Sequence, residues 1–353
     1  MILPASQGAT LALLVISLIC WGSWANTWKL ADKWRFELYY YDFALGFVLL
    51  AVVAAFTAGS FNSSELTFQE NFLITGYRNM AYVVAAGLIF NLGNMLLAAA
   101  ISVAGMAMGF TVTFAAALSV STAWALIFEP PAGMLLAIVG AALLLAALVL
   151  AAYSYSNYLD ARAAAAKKSA LQVDPRSKTA KRAARAPGAA RAVVLGIVGG
   201  LALGLFAPLL DAGRQGDGGV APYGLALLFA AGIFVSTIVF GPFFVNFPVS
   251  GGPIAVRDYF KGSGKQHLLG LLGGILAGGG FLASMLALAA PAFLRTAPVP
   301  SYALNQGAPV LAGLWGLFVW REFKDATERT RLLFFFMLIL LAGGIALLAI
   351  ARR

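Results

Sequence analysis

Two asparagines interrupt a strongly apolar stretch of the chain. Asn91 and Asn94 lie within GLIFNLGNML (87–96), so on a helix they are about 4.5 Å apart along the axis. Each side-chain amide offers two donors and an acceptor, which complement a urea group, a nucleobase edge or a sugar hydroxyl. The spacing predicts a binding site for a small polar solute. A hydrogen bond between helices, which the small Gly93 would bring close together, is the structural alternative.

Asp42 is the acid that lies deepest in an apolar stretch, about one turn inside the segment 38–58. A carboxylate that is removed from water binds a proton more readily than a solvated one. We therefore predict that Asp42 carries a proton while the protein works, with Glu129 as the second candidate. A salt bridge from Asp42 to Arg35 or Lys33 is the competing interpretation.

A polar cluster opens the later apolar segment, which begins SYALNQGAP (301–309). It contains Tyr302, Asn305 and Gln306, and the first and last of these share a helix face because they are four residues apart. Pro309 follows and removes a backbone donor. The cluster either lines a pocket or forms the polar entry to a kinked helix.

The stretch CWGSWANTWKL (20–30) combines tryptophans with small and polar residues. On a helix the two kinds form opposite faces, with Trp21, Trp24 and Trp28 on one and Gly22, Ser23 and Asn26 on the other. Trp28 beside Lys29 is typical of an aromatic belt at a membrane surface, whereas Trp21 lies too deep for one. We predict that Trp21 or Trp24 lines a pocket with Asn26 at its edge. The sequence is compatible with either face of the helix lining the cavity.

The composition of the 353-residue chain places it in a lipid bilayer. Hydrophobic residues make up 61% and charged residues only 11%, whereas soluble proteins contain about 25% charged residues. The net charge of +10 would suggest nucleic acid in a soluble domain. In a membrane protein it is explained by anionic lipid headgroups instead, so no nucleic-acid partner is expected.

Residues for metal or covalent chemistry are scarce. The chain has one cysteine, Cys20, and one histidine, His267. A disulfide within the chain and a metal site of cysteines and histidines are therefore excluded. The metalloprotease motif HExxH and the hydrolase motif GxSxG are both absent from the sequence. We predict a protein that is not an enzyme and that has no catalytic residues, metal or bound cofactor.

Hydropathy predicts an all-α integral membrane protein, because about 20 apolar residues cross the hydrocarbon core as a helix. Two of the connections between apolar segments, near Gly105 and Pro130, are so short that the flanking helices must be antiparallel neighbours. Ten segments are expected to span: 9–28, 38–58, 79–101, 104–127, 132–154, 191–211, 222–245, 268–290, 299–320 and 331–351.

The basic residues predict which side faces the cytoplasm. Of the 24 lysines and arginines, nineteen fall on the side that holds the 1–2, 5–6, 7–8 and 9–10 connections. By the positive-inside rule this side is cytoplasmic and both termini are external. We expect a multi-pass protein of the cell inner (plasma) membrane, with the basic connection 155–190 in the cytoplasm.

The same connection divides the chain into two halves of five helices. Residues 1–154 form the first half, 155–190 a basic linker, and 191–353 the second half. Because each half has an odd number of helices, the second is expected to be inverted. Three short segments of the first half resemble segments that occur in the same order in the second half, which supports a repeat. The pairs are GLIFNLGNML with GGILAGGGFL, GSWAN with GLFAP, and IFEPP with WREFK. Inverted repeats are typical of secondary transporters, whose sites lie near the bilayer midplane.

The chain resembles the drug/metabolite transporter superfamily in its ten spans, paired five-helix halves and basic central loop. Within it, GSWA at 22–25, YYDF at 40–43 and LGN at 92–94 are similar to motifs of the ureide permease family. That family is related to the glucose/ribose and rhamnose porters. The plant ureide permeases carry a Walker-A-like sequence in the central loop, and this chain has none.

The resemblance implies proton-coupled uptake of a small neutral polar solute, such as allantoin, another ureide or uracil, by alternating access. A proton gradient would drive this symport, and no cofactor would be needed. A sugar symporter and an exporter of metabolites or drugs with the same fold are the alternatives. The partners expected are a small polar solute and the lipid bilayer, and the protein would be a monomer or a homodimer.

Overall fold

The structure, a computed structural model, describes residues 1–61, 66–173, 189–216, 218–252, 254–295 and 298–351. Within these ranges every regular element is a helix. The α-helices are α1 (Gln7–Leu30), α2 (Phe36–Phe56), α3 (Phe68–Ile74), α4 (Tyr77–Ala104), α5 (Met106–Phe128), α6 (Met134–Val173), α7 (Ala189–Arg214), α8 (Pro222–Asn246), α9 (Gly264–Leu288), α10 (Pro298–Gln306), α11 (Ala308–Leu314) and α12 (Glu328–Ile350).

Nine helices of the described chain are long and apolar enough to cross a bilayer. They are α1, α2, α4 to α9 and α12, and they coincide with nine of the ten predicted segments. The multi-span helical membrane protein expected from hydropathy is thus confirmed. The first part of the predicted linker, 155–173, continues α6 as helix. The rest of that linker up to residue 188 lies outside the described residues.

Backbone contacts define two ends of the bundle. At the terminal end, the Ile2 N–H donates to the Ala58 carbonyl (2.9 Å) and the Gly133 N–H donates to Ala351 (3.0 Å). This end holds residues 1–6, 57–61, 66–76, 129–133, 215–216, 218–221 and 289–295. The basic end holds the opposite connections, namely 31–35, Gly105, 247–252, 254–263 and 320–327. Residues 1–6 and Ala351 therefore lie at the same end of the bundle.

Glycines allow the central helices to approach closely. A methyl group added at Gly93 of α4 would lie 2.8 Å from the Gly199 carbonyl of α7, and one added at Gly199 would lie 3.0 Å from the Gly93 carbonyl. Such small-residue contacts replace the hydrophobic driving force that helices lack in lipid. Aromatic rings fill the space beside them, including a stacked pair, Phe229 and Phe281, whose centroids are 4.2 Å apart.

The segment predicted as one helix over 299–320 is broken. Its first part, α10, ends at Gln306, and α11 begins after Gly307 with Pro309 in its first turn. Proline cannot donate to the preceding turn and clashes with it, so a single helix through this point is disfavoured. Residues 315–319 then form a π-helical turn, which is closed by the Trp320 N–H and the Trp315 carbonyl (2.9 Å). The segment runs beside α1 from the terminal end to the basic end.

Candidate functional site

Asn91 joins α4 to α8 in the buried centre of the bundle. Its side chain is fully buried, and its amide donates to the hydroxyls of Ser236 (2.8 Å) and Thr237 (3.0 Å). The amide oxygen has no hydrogen-bond partner among the described residues. A buried acceptor without a partner costs about 1–3 kcal/mol, so a ligand donor or a water would stabilise it.

Asn94 lies one turn further along α4 and faces α2 instead. Its amide donates to the Tyr40 hydroxyl (2.7 Å), and both side chains are buried. The neighbouring Tyr39 shares a 2.7 Å hydrogen bond with Thr27 of α1. The two asparagines therefore do not converge on one point. Each connects α4 to a different helix, and the adjacent Tyr39 and Tyr40 of α2 bond to α1 and α4 respectively.

Asp42 is paired with a residue that lies far away in the sequence. Its carboxylate accepts a hydrogen bond from the Tyr259 hydroxyl (2.5 Å) on one oxygen and lies 2.9 Å from His267 Nδ1 on the other. The Asp42 side chain is only 3% exposed, against 24% for His267. Arg35, a partner considered from the sequence, forms its ion pair with Glu37 instead. The buried Asp42 and the partly exposed His267 thus form an acid–imidazole pair near the basic end.

The surroundings of this pair restrict its movement. Gly270 lies against Asp42, and a methyl group added to it would collide with the Asp42 side chain. The ring of Trp34 meets the His267 ring edge to face at 5.6 Å. Burial raises the pKa of Tyr259, and the hydrogen bond to the Asp42 carboxylate and its negative charge raise it further. The Tyr259 hydroxyl therefore stays protonated at neutral pH and remains a donor.

The polar face of α1 binds the broken segment. The Trp315 indole N–H donates to the Ser23 hydroxyl (3.1 Å), and the Trp320 indole N–H donates to the Asn26 side-chain oxygen (2.6 Å). One turn further, Lys29 forms an ion pair with Glu322. In this conformation the Gly–Ser–Asn face of α1 is thus covered by protein.

The tryptophans of α1 pack among other aromatic rings. Trp24 is 1% exposed and lies between Phe43 (5.0 Å) and Phe110 (6.3 Å). Trp21 is half-buried and meets Phe90 edge to face at 5.5 Å. Trp28, expected in an interfacial belt, donates its indole N–H to the Trp34 carbonyl (2.8 Å) and so joins the α1–α2 connection.

The polar cluster of α10 lies towards the terminal end. The Asn305 side-chain oxygen accepts from the Ser284 hydroxyl of α9 (2.5 Å), and Gln306 is half-buried. Tyr302 lines a cavity of about 220 Å³ together with Glu129. Glu129 is exposed at the end of α5. It therefore lies at the opposite end of the bundle from Asp42, and the two predicted proton carriers do not share a site.

Four polar residues that were not predicted as site residues from the sequence take part in these contacts. His267 and Tyr259 hold Asp42, and Tyr40 holds Asn94. Glu37 is fully buried and accepts two hydrogen bonds from Arg35, at 2.6 and 3.1 Å. For Tyr40, the available sequence signal was the run YYYD at 39–42, which places polar groups next to an apolar segment. For His267, being the single histidine of the chain was the signal available.

The helical bundle defines a multi-pass integral membrane protein, and comparisons with known proteins agree with this class. No protein-family model matches the chain. Over 398 aligned residues, 99% of this chain and 98% of the relative, it is 22% identical to Ureide permease 2 of Arabidopsis thaliana. This full-length likeness supports a ureide-permease-like transporter, a protein that moves a solute and is not an enzyme.

One solved structure also aligns over nearly the whole chain. Described as "Crystal structure of protein", it covers 97% of this chain and 96% of its own, with a TM-score of 0.48 and 14% identity. A likeness at this level does not assign the fold family, so the drug/metabolite transporter assignment remains a prediction.

Proposed function

We propose that the protein is a secondary transporter that takes up a small neutral polar solute together with protons. The expected solutes are ureides such as allantoin and nucleobases such as uracil, and transport would proceed by alternating access. The observation that carries the proposal is the buried carboxylate of Asp42 paired with the partly exposed His267. Full-length likeness to a permease supports the class, and the pair supports the coupling to protons.

The pair of Asp42 and His267 can hold one proton in a defined place. A negative Asp42 beside a neutral His267 would leave a charge without compensation in an apolar environment, which is costly. One added proton, on either partner, gives a pair without net charge. Tyr259 donates to the carboxylate in both cases and lies outside the spans, on the connection between α8 and α9. Movement of that connection would expose the pair and release the proton.

Solute binding is assigned to the side chains that line the centre and the two faces of α1. The Asn91 oxygen, which has no partner among the described residues, can accept a hydrogen bond from a urea group. The Asn94 amide, which donates to Tyr40, is a second candidate contact. Trp21 and Trp24 offer flat surfaces on which a planar solute can stack. Asn26 contributes only after its bond to Trp320 opens. The cluster of α10, Tyr302 with Asn305 and Gln306, would line the external part of the path.

The architecture expected for this function has ten crossings in two inverted halves. The broken segment 298–319 would serve as the ninth crossing, since it passes from one end of the bundle to the other. Interrupted helices at corresponding positions are typical of substrate sites in transporters. The basic end would face the cytoplasm of a plasma membrane, with both termini external.

Uptake into proteoliposomes tests the proposal. Labelled allantoin, uracil and glucose are offered with and without an inward proton gradient, and we expect uptake of a ureide or nucleobase that the gradient stimulates. Asp42→Asn should abolish the stimulation by the gradient. Asp258→Asn is the matched control, because Asp258 is a partly exposed acid at the same end that pairs with Lys261 and not with His267. Glucose uptake alone would favour the sugar alternative, and uptake that ignores both pH and Asp42→Asn would refute proton coupling.

A further inference from the structure

At the basic end, a contact through Glu322 joins the two predicted halves of the chain. Glu322 follows the broken segment, and its carboxylate accepts from the N–H groups of Met106 (2.7 Å) and Ala107 (3.0 Å) in the first turn of α5. The same carboxylate pairs with Lys29, in the last turn of α1. The Glu322 side chain is only 8% exposed, and a Cβ added at Gly316 would lie 2.6 Å from one of its oxygens. Helices α1 and α5 therefore stay attached to the second half at this end until Glu322 is released.

Two glycines give α1 and α7 matching surroundings. A Cβ added at Gly22 of α1 would lie 2.9 Å from the Leu311 Cβ of α11. One added at Gly204 of α7 would lie 2.6 Å from the Val120 Cβ of α5. Gly22 and Gly204 are also the positions that the resemblance of GSWAN to GLFAP pairs in the sequence. Packing and sequence therefore agree in matching α1 with α7, and α11 with α5.

In this match, Glu129 is the counterpart of Glu322, since IFEPP and WREFK pair the two acids. The same separation in sequence relates Met106, in the first turn of α5, to Val299, in the first turn of α10. Helix α7 has Arg214 in its last turn, as α1 has its own basic residue there. The terminal end thus contains the three parts of the contact at the basic end, namely a carboxylate, the start of a helix and a cation.

These three parts are not joined in the conformation described here. Glu129 is exposed and makes no ion pair within the described part of the chain. Arg214 pairs with Asp211 of its own helix (2.6 Å). Glu129 instead lines the cavity of about 220 Å³, together with Tyr302 of α10. The terminal end is therefore open at the place that corresponds to the closed contact of the basic end.

We propose that Glu129 and Glu322 are reciprocal gate residues, which close the terminal end and the basic end in turn. The proposal rests on the proposed function, since alternating access requires one end to close while the other opens. When Glu322 releases Lys29 and the start of α5, Glu129 binds Arg214 and the start of α10, whose first turn has unsatisfied N–H donors. Pro300 lacks an N–H, so the ion pair with Arg214 is the larger part of the contact at the terminal end.

Distances between spin labels in the full chain test this assignment. In a Cys20→Ser background, labelled cysteines replace the exposed Leu30 and Lys324 at the basic end, or the exposed Ala132 and Phe293 at the terminal end. Each pair joins the first half to the second. Pulsed electron paramagnetic resonance of the protein in phosphatidylcholine nanodiscs then measures how open each end is.

The two gate residues should have opposite effects on these distances. Glu322→Gln should raise the ratio of the open to the closed basic end about tenfold, with a longer distance at that end and a shorter one at the terminal end. Glu129→Gln, added to this variant, should reverse most of the shift, which a merely structural role would not do. Asp325→Asn and Glu70→Gln are the controls, since each removes an exposed acid at one of the two ends.

A cross-link gives a second test that leaves Glu322 in place. In the Cys20→Ser background, Glu129→Cys with Arg214→Cys should form a disulfide on oxidation, because the two positions meet when the terminal end closes. Amide hydrogen exchange at residues 103–110 should then become faster, since the basic end is held open. Each single cysteine variant controls for the substitution.

Three outcomes would overturn the assignment. Unchanged label distances in Glu322→Gln would refute both gates. A shift that persists after Glu129→Gln is added, or the absence of a disulfide in the cysteine pair, would show that Glu129 does not close the terminal end. Proton-stimulated uptake by the unaltered chain is measured separately and does not depend on these results, so failure of the gates is distinguishable from failure of the proposed function.

Discussion

The two ends of the Asn91 side-chain amide differ in their contacts: the nitrogen bonds to another helix, whereas the oxygen is available to a ligand. Both of its hydroxyl partners also donate to their own helix, Ser236 to Gly232 (2.7 Å) and Thr237 to Ile233 (2.8 Å). They therefore stay satisfied as donors when the asparagine is removed. The Asn91 oxygen, in contrast, has no partner among the described residues, which suits a group that meets its ligand only during transport.

The substitution Asn91→Ala should therefore weaken solute binding strongly and lower the free energy of unfolding only slightly. We expect a loss of about 1 kcal/mol in the free energy of unfolding, with solute affinity reduced at least about tenfold because a buried ligand contact is lost. Thermal unfolding and solute binding of the purified protein measure the two effects. Asn246→Ala is the control, since Asn246 is exposed and bonds only to its own helix. Equal solute affinity in the Asn91→Ala and Asn246→Ala variants would show that Asn91 does not contact the solute.

We expect the ion pair of Arg35 and Glu37 to stabilise the fold. Glu37 is fully buried, and Arg35 is also fixed by a 3.0 Å hydrogen bond to the Gly252 carbonyl. Removal of one member of a buried pair leaves the other charge uncompensated. Glu37→Gln should thus destabilise the protein by about 3 kcal/mol. The double variant Arg35→Met/Glu37→Gln should recover part of that loss in thermal unfolding, and absence of any recovery would show that the pair is not coupled.

At the scale of elements, hydropathy was sufficient to locate the long helices in the sequence. It did not indicate which helices pack against each other. Nine of the predicted segments are helices because each is an uninterrupted apolar run. The break near Gly307 was signalled by Pro309, yet the π turn at 315–319 has no pattern that we could recognise in the sequence. The pairing of Asp42 with His267 depends on α2 packing against α9, and two residues 225 positions apart leave no local signal.

The side chain of Glu322 connects three elements of the bundle. Its carboxylate accepts from the backbone N–H groups of Met106 (2.7 Å) and Ala107 (3.0 Å) and pairs with Lys29. These N–H groups lie in the first turn of α5, where a helix has unsatisfied donors and attracts negative charge. Glu322 therefore connects the end of the broken segment to α1 and α5 at the basic end.

Glu322→Gln should loosen the start of α5 without unfolding the bundle. We expect faster amide hydrogen exchange in a peptide covering residues 103–110, because the charge that stabilises the first turn is lost. Exchange mass spectrometry of the protein in nanodiscs measures this. Asp325→Asn, a change at an exposed acid of the same connection, should leave the peptide unchanged. Unaltered exchange in Glu322→Gln would show that the cap does not hold α5.

For the whole molecule, the contacts of α1 distinguish a rigid bundle from a transporter that alternates between states. In the proposed architecture α1 belongs to the first half and α11 to the second, and alternating access moves one half against the other. Their contact is close: a Cβ added at Gly22 would lie 2.9 Å from the Leu311 Cβ. A disulfide requires a Cβ separation of about 3.5–4.5 Å, so two cysteines here can be linked after a small adjustment.

Linking α1 to α11 should trap the conformation described here. In a Cys20→Ser background, Gly22→Cys with Leu311→Cys is expected to form a disulfide on oxidation and to lose uptake, and a reductant should restore it. Trapping one state stops the cycle because the solute can then be reached from one side only. Each single cysteine variant, treated with the same oxidant, controls for damage by the substitution itself. Full uptake by the cross-linked protein would show that α1 and α11 move together, and the boundary between the moving halves would then lie elsewhere.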